Sequence, residues 1–231
     1  MKTIREHLEE LRQIKRKEHH PLVHEIHVQH RISKKTLFYV KEYGPHSHIA
    51  HTIIKESWKI LLFASVLSSF GGFALEQIKE IFISISPLII LLPALNGLIG
   101  DLGTIISSNF STFLHEGKIG PHWWKNPELR KLFGQLFVIA VLFAGAGSLL
   151  AIVVSQFVGN AFDTAHAYKI FLIAFIDVVM LVVLLSLVAI LAGLYFYHKG
   201  EDPNNFLIPI TTSVADFGNM LLLVGLVILF F

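Results

Sequence analysis

"LLPALNGLIGDLGTIISS", residues 91–108, decides how this chain is read. It lies inside a longer apolar run, 87–114, of the length a membrane helix needs. Yet it holds a carboxylate at Asp101, three glycines at Gly97, Gly100 and Gly103, and a proline at Pro93. A carboxylate at the centre of a membrane helix costs about 2.5–3.5 kcal/mol on insertion scales, so it faces a bundle interior, a water-filled cavity or a partner. Helical spacing shows its company. At about 100° per residue, Gly97, Asp101, Thr104, Ser108 and Ser111 fall close to one face. The defect is a polar stripe.

The surrounding chain is built for a bilayer. Of 231 residues 53% are hydrophobic and only 16% charged, against about 25% charged in soluble domains. Five stretches reach the roughly 20 residues a span requires: about 57–77, 87–114, 133–158, 168–197 and 206–231. The expected fold is therefore all-α, a polytopic membrane protein with five transmembrane helices per chain. Residues 1–56 read as a His-rich, basic N-terminal arm and 57–231 as the transmembrane domain. Twelve of the nineteen Lys and Arg residues precede Leu61, and the 115–132 loop adds Lys118, Lys125, Arg130 and Lys131. The positive-inside rule then puts the N-terminus in the cytoplasm and the C-terminus outside, with Trp58, Trp123 and Trp124 as interfacial anchors. The arm has no apolar h-region, so a cleaved signal peptide is not expected.

Two more spans carry aspartates, Asp177 in the fourth and Asp216 in the fifth. The fifth repeats the stripe: Thr212, Asp216 and Asn219 fall at i, i+4 and i+7. Such oxygens suit hard divalent cations, and Mg²⁺ in particular keeps several waters and uses one or two carboxylates. The chain has no cysteine, which excludes disulfides, iron–sulfur clusters and thiolate sites. No histidine lies deep in a span, which disfavours a soft-metal pore. The candidate metal ligands are Asp216, Asp101, Thr212, Asn219, Thr104 and Asn96. Gly97, Gly100, Ser108, Thr211 and Asp177 are candidate pore-lining positions. Asp177 heads no stripe, and interhelical glue is its other reading. The glycines serve either close helix approach or exposure of backbone carbonyls. Pro93 and Pro209 are expected to break helix regularity, letting carbonyls join the site.

"PALNGLIGDLGTIISSNFSTFLHEGKIG" (93–120) and "DPNNFLIPITTSVADFGNMLLLVGLVI" (202–228) resemble the two signature segments of the MgtE-type divalent-cation transporters. The likeness is closest to their eukaryotic solute-carrier relatives. Pro93, Leu95, Gly97 and Gly100 match a P-x-L-x-G-x-x-G-N-type motif of the second span. Pro209, Thr212 and Asp216 match a P-x-x-T-x-x-x-D motif of the last, after a D-P-x-N start. The resemblance covers 57–231. It implies a homodimer whose pore lies between subunits, lined by the second and fifth helices, with Mg²⁺ as transported ion and ligand. The family's central site uses the fifth-helix aspartate, here Asp216, with Thr212 and Asn219 one turn either side. The eukaryotic relatives fuse two five-helix units, so this single unit implies two copies. Two departures stand out. Asp101 occupies the position where the family most often has Asn. The 56 N-terminal residues are too few for the large cytoplasmic sensor of bacterial members.

Nine of the thirteen histidines lie in residues 1–51. His24, His27, His30, His46 and His48 are candidates for a regulatory transition-metal site, since clustered imidazoles suit Zn²⁺, Ni²⁺ or Co²⁺. The competing reading is a solvated juxtamembrane arm whose basic residues meet anionic lipid. "TIREHLEELRQIKRKEHH" (3–20) has the spacing of an amphipathic helix, with Ile4, Leu8, Leu11 and Ile14 on one face. "EIHVQHRISKKTLFYVKEYG" (25–44) alternates like a strand or extended arm. No GxxxxGK[ST] motif is present, so ATP-driven pumping and nucleotide binding are not expected, nor is nucleic acid. No hydrolase or metalloprotease motif appears, so the chain is not expected to be an enzyme. The expected function is a multi-pass cell-membrane channel or transporter for divalent cations, Mg²⁺ first and other divalent ions after it. The alternatives are a proton- or sodium-coupled metal exporter and a non-transporting membrane metal sensor or scaffold.

Overall fold

The computed structural model of the chain describes residues 3–13, 21–32, 36–37, 49–119, 123–157, 166–199 and 201–231. The helices are α1 (Ile4–Gln13), α2 (Pro21–His30), α3 (Ile49–Glu76), α4 (Lys79–Ser84), α5 (Ser86–His115), α6 (Pro127–Phe157), α7 (Ala167–His198) and α8 (Pro203–Phe230), with a 3₁₀ turn at Trp123–Lys125. No strand occurs among the described residues. Five helices are long and apolar enough to cross a membrane: α3 from Ser57 onward, α5, α6, α7 and α8. The protein is a multi-pass membrane protein.

The starts of α6 and α8 follow cap chemistry rather than hydropathy. α6 begins at Pro127, ahead of the apolar run, because Asn126 Oδ1 accepts from the backbone N–H groups of Glu128 (2.9 Å) and Leu129 (3.1 Å). The Asn126 amide donates to Lys118 O (2.7 Å), tying that cap to the end of α5. α5 itself stops in a Schellman turn, with Gly117 at φ 66°. Gly117 N donates to Leu114 O and Lys118 N to Phe113 O, both at 3.0 Å. Hydrogen bonds to Glu116 and Glu128 hold the Lys118 ammonium above the usual lysine value, so this clamp is intact at neutral pH. α8 starts with Asp202 as cap, its carboxylate accepting from Asn204 N (3.1 Å). The first span is the distal part of a helix that already begins at Ile49, and the link after it folds into α4.

α5, α6, α7 and α8 share one apolar core, built on Leu91, Leu95, Ile99, Ile106, Leu181 and Leu185. α3 adds only the half-buried Leu75 to its edge and packs chiefly on α8. A Cβ on Gly71 would lie 3.2 Å from Phe217 Cα, so the two backbones nearly touch there. The rest of α3 is exposed at Leu61, Leu62, Phe63, Val66, Phe70 and Phe73, a surface for lipid or another chain.

Two expectations are corrected. Pro93 and Pro209 do not break their helices: α5 and α8 run on through both. Each proline withholds one N–H, a loss that helices in a membrane bundle tolerate without ending. The strand-like reading of 25–44 also fails where it is described, since α2 continues to His30. The working pattern is helical: Leu22, Val23 and Ile26 turn toward Leu11 of α1, with Ile26 and Leu11 fully buried. Val28, which the alternation would have buried, is 65% exposed. In α1, Leu8 and Leu11 face this small core while Ile4 is exposed; Ile14 lies outside the described residues.

Candidate ion site in the membrane helices

α5 and α8 run antiparallel, and their polar residues meet in register. At one end Asn96 Nδ2 donates to Asp216 Oδ1 (2.9 Å), and Asn219 Nδ2 donates to Asn96 Oδ1 (3.0 Å). Further along, Thr211 fits against Gly103. A Cβ on Gly103 would lie 3.4 Å from Thr211 Cβ, and the Thr211 hydroxyl meets Ser107 Oγ at 2.9 Å. At the far end His115 and Asp202 are both buried, Nε2 and Oδ1 3.5 Å apart, with the Tyr197 ring edge-on to the imidazole.

The first span joins the Asp216 end. Ser68 Oγ of α3 donates to Asp216 Oδ2 (3.2 Å), so each carboxylate oxygen receives one neutral donor. Three helices thus converge on one half-buried carboxylate. Asn219 is fully buried, and its Oδ1 has no hydrogen-bond partner. That acceptor and the Asp216 carboxylate, joined through Asn96, make a donor set of hard oxygens. It fits a divalent cation as cargo and offers nothing to a soft metal.

The candidate residues divide. Asn96, Asp216 and Asn219 come together, and Thr211 supports them from the helix crossing. Thr212 is half-buried, its hydroxyl donating to Ile208 O within its own helix (2.9 Å). Asp101 is elsewhere. At about 100° per residue it sits about 140° around α5 from Asn96. It is exposed, and no hydrogen bond or ion pair links it to another described residue. Gly97 is exposed beside it, with Gly100, Thr104 and Ser108 half-exposed along the same stripe; Thr104 Oγ1 donates to Gly100 O (3.1 Å). Asp177 is fully buried in α7, outside the Asn96–Asp216 network. Sequence reasoning missed Ser68, whose only signal is a hydroxyl in "SVLSSF", and the buried His115–Asp202 pair, which sits at span ends and read as loop.

In the arm, His24 is exposed and His27 Nδ1 donates to Ile32 O (2.6 Å). His30 Nε2 lies 3.0 Å from Nδ1 of His7, a residue outside the candidate list. His46 and His48 lie outside the described residues. Among the described residues no three His, Asp or Glu side chains converge into a metal cluster.

The family model of the MgtE divalent cation transporters matches residues 92–226, more than half of the chain and the whole α5–α8 pairing. The chain belongs to the MgtE family. Among the curated proteins it is similar to are two from mouse. Solute carrier family 41 member 3 is 29% identical over 184 residues, 71% of this chain and 36% of the relative. Member 2 is 25% identical over 175 residues, 71% of this chain and 30% of the relative. Human member 2 is 27% identical over 179 residues, again 71% and 30%. The chain spans about a third of the length of these relatives. No solved structure matches it.

Proposed function

We propose that this MgtE-family chain is a divalent-cation channel or transporter, with Mg²⁺ as its principal ion and two copies forming the pathway. The observation that carries the reading is the Asn219–Asn96–Asp216–Ser68 network, which gathers one carboxylate and an unsatisfied buried amide oxygen at membrane depth. Asn96 and Ser68 fix the rotamer of Asp216 while leaving lone pairs for a hydrated ion, since a carboxylate can accept about four hydrogen bonds or ligand contacts. One carboxylate per chain becomes two when a second copy faces the first, the number Mg²⁺ uses. The exposed Asp101 stripe supports that pairing, because a carboxylate left against lipid costs about 2.5–3.5 kcal/mol. In this reading α5 and α8 line the route, Asp216 is the central ligand, and Asp101, Thr104 and Ser108 extend the polar surface. The basic arm and the 115–132 loop face the cytoplasm.

The test is Mg²⁺ flux in proteoliposomes. Asp216→Ala is expected to abolish it and Asp101→Ala to reduce it or change ion preference. Wild-type rates in Asp216→Ala would refute the reading.

A further inference from the structure

Asp177 lies about a third of the way along α7, the most buried of the spans, and is itself fully buried. Neither carboxyl oxygen has a hydrogen-bond partner. Ile173, Ala174, Val178 and Leu181, which share the buried side of α7 around it, are buried too. The helices packed on α7 are α5, α6 and α8. Within their membrane stretches the titratable side chains are Asp101 on α5 and Asp216 on α8; α6 has none after Lys131. On α7 itself the others are Tyr168 and Lys169 at one end and Tyr195, Tyr197 and His198 at the other. Among the described residues of these four helices, none within the membrane stretches is a cation that could pair with Asp177. An unpaired carboxylate survives in a dry apolar core only as the neutral acid or with a cation brought near it.

We propose that Asp177 holds a proton in the ion-free molecule and gives it up to water when a divalent cation enters at Asp216, so that metal and protons are exchanged. The inference rests on the assignment of Asp216 as the ion site. The chemistry is a single O–H heterolysis: the carboxylic acid becomes a carboxylate, and the proton leaves on water and is regained when the metal departs. The packing supplies the link. One turn along from Asp177, Leu181 seats over Gly218, where a Cβ would lie 2.6 Å from Leu181 Cδ2. Gly218 stands between Asp216 and Asn219 in α8. A second contact places Leu185 3.4 Å from a Cβ on Gly103, beside Thr211. A charged Asp177 requires water, and water reaches it only if α7 loosens on α8 at Leu181–Gly218, the segment that presents the ion ligands. A cation held there lowers the free energy of the anionic form in return, since such linkage is reciprocal.

The experiment uses the full-length protein in detergent. Mg²⁺ is added in weakly buffered solution, protons are read with an indicator dye, and bound Mg²⁺ is measured in parallel. Wild type is expected to release about one proton per chain on binding, with apparent Mg²⁺ affinity rising about tenfold per pH unit while Asp177 is protonated. Asp177→Asn, which copies the neutral acid, is expected to bind Mg²⁺ with no proton release and no pH slope. Infrared spectroscopy of the unsubstituted protein provides a reading without any variant: a protonated-carboxyl stretch that vanishes on adding Mg²⁺. Proton release in Asp177→Asn equal to wild type, or Mg²⁺ binding by wild type with no release, would overturn the proposal. Mg²⁺ binding that survives in Asp216→Asn would instead overturn the ion-site assignment, and the proposal with it.

Discussion

Asp216 shares its charge with two neutral donors, and neither is a cation. A lysine or arginine there would neutralise the site and compete with an ion; an amide and a hydroxyl orient it and leave the charge available. Asn96 carries the larger share, since it donates to Asp216 and accepts from Asn219. Asn96→Leu removes both bonds, each with a net worth of about 0.5–1.5 kcal/mol. It is expected to lower the thermal unfolding temperature in detergent and raise the Mg²⁺ concentration for half-maximal flux. Glycines separate close packing from mere permissiveness. A Cβ on Gly193 would lie 2.7 Å from two ring atoms of the fully buried Phe110, whereas Gly97 has nothing within 4 Å. Gly193→Ala is expected to destabilise by about 1–3 kcal/mol and Gly97→Ala to leave the thermal midpoint nearly unchanged. Much of this was legible in the sequence. Asn96, Asp101, Asp216 and Asn219 are conspicuous because apolar spans so rarely hold them. Ser68 was not legible, because serine in a membrane helix is ordinary packing. Nor was the division between Asp101 and Asp216, because spacing fixes angles within one helix and leaves its rotation against the next undetermined.

At the scale of elements, hydropathy located all five long helices and placed both ends of α5 and α7 to within one residue, but misjudged where α3, α6 and α8 begin. Asn126 with Pro127 and Asp202 with Pro203 start α6 and α8 by side-chain capping, which an apolar window does not register. Asp202 does two things at once, capping α8 and meeting buried His115 from the end of α5. Asp202→Ala is expected to cost about 1 kcal/mol from the cap alone. The loss of the His115 contact adds to that, checked by thermal unfolding against Asp202→Asn, which retains a capping oxygen. α2 shows the opposite failure. Its short apolar segment fits both periods, and only the neighbouring Leu11 settles that Ile26 rather than Val28 turns inward.

For the whole molecule, the absence of cysteine makes the proposed pairing directly measurable. A single Asp101→Cys substitution can form a disulfide only with another chain. Oxidative cross-linking in native membranes is expected to give a covalent dimer from Asp101→Cys and none from a cysteine at Asn219, which is buried within its own chain. A monomer after oxidation of Asp101→Cys would place that stripe against something other than a second copy.

The crossing of α5 and α8 has a mechanical consequence. Gly103 and Thr211 bring the two helices together through a notch and a hydroxyl, the Asp216 network lies to one side, and the His115–Asp202 pair lies to the other. Two rods in contact at both ends, with their closest approach between, work like a clothes-peg about its spring. Rocking the pair open at the ion end presses it together at the histidine end, so whatever wedges or grips that far end sets how wide the ion end can open.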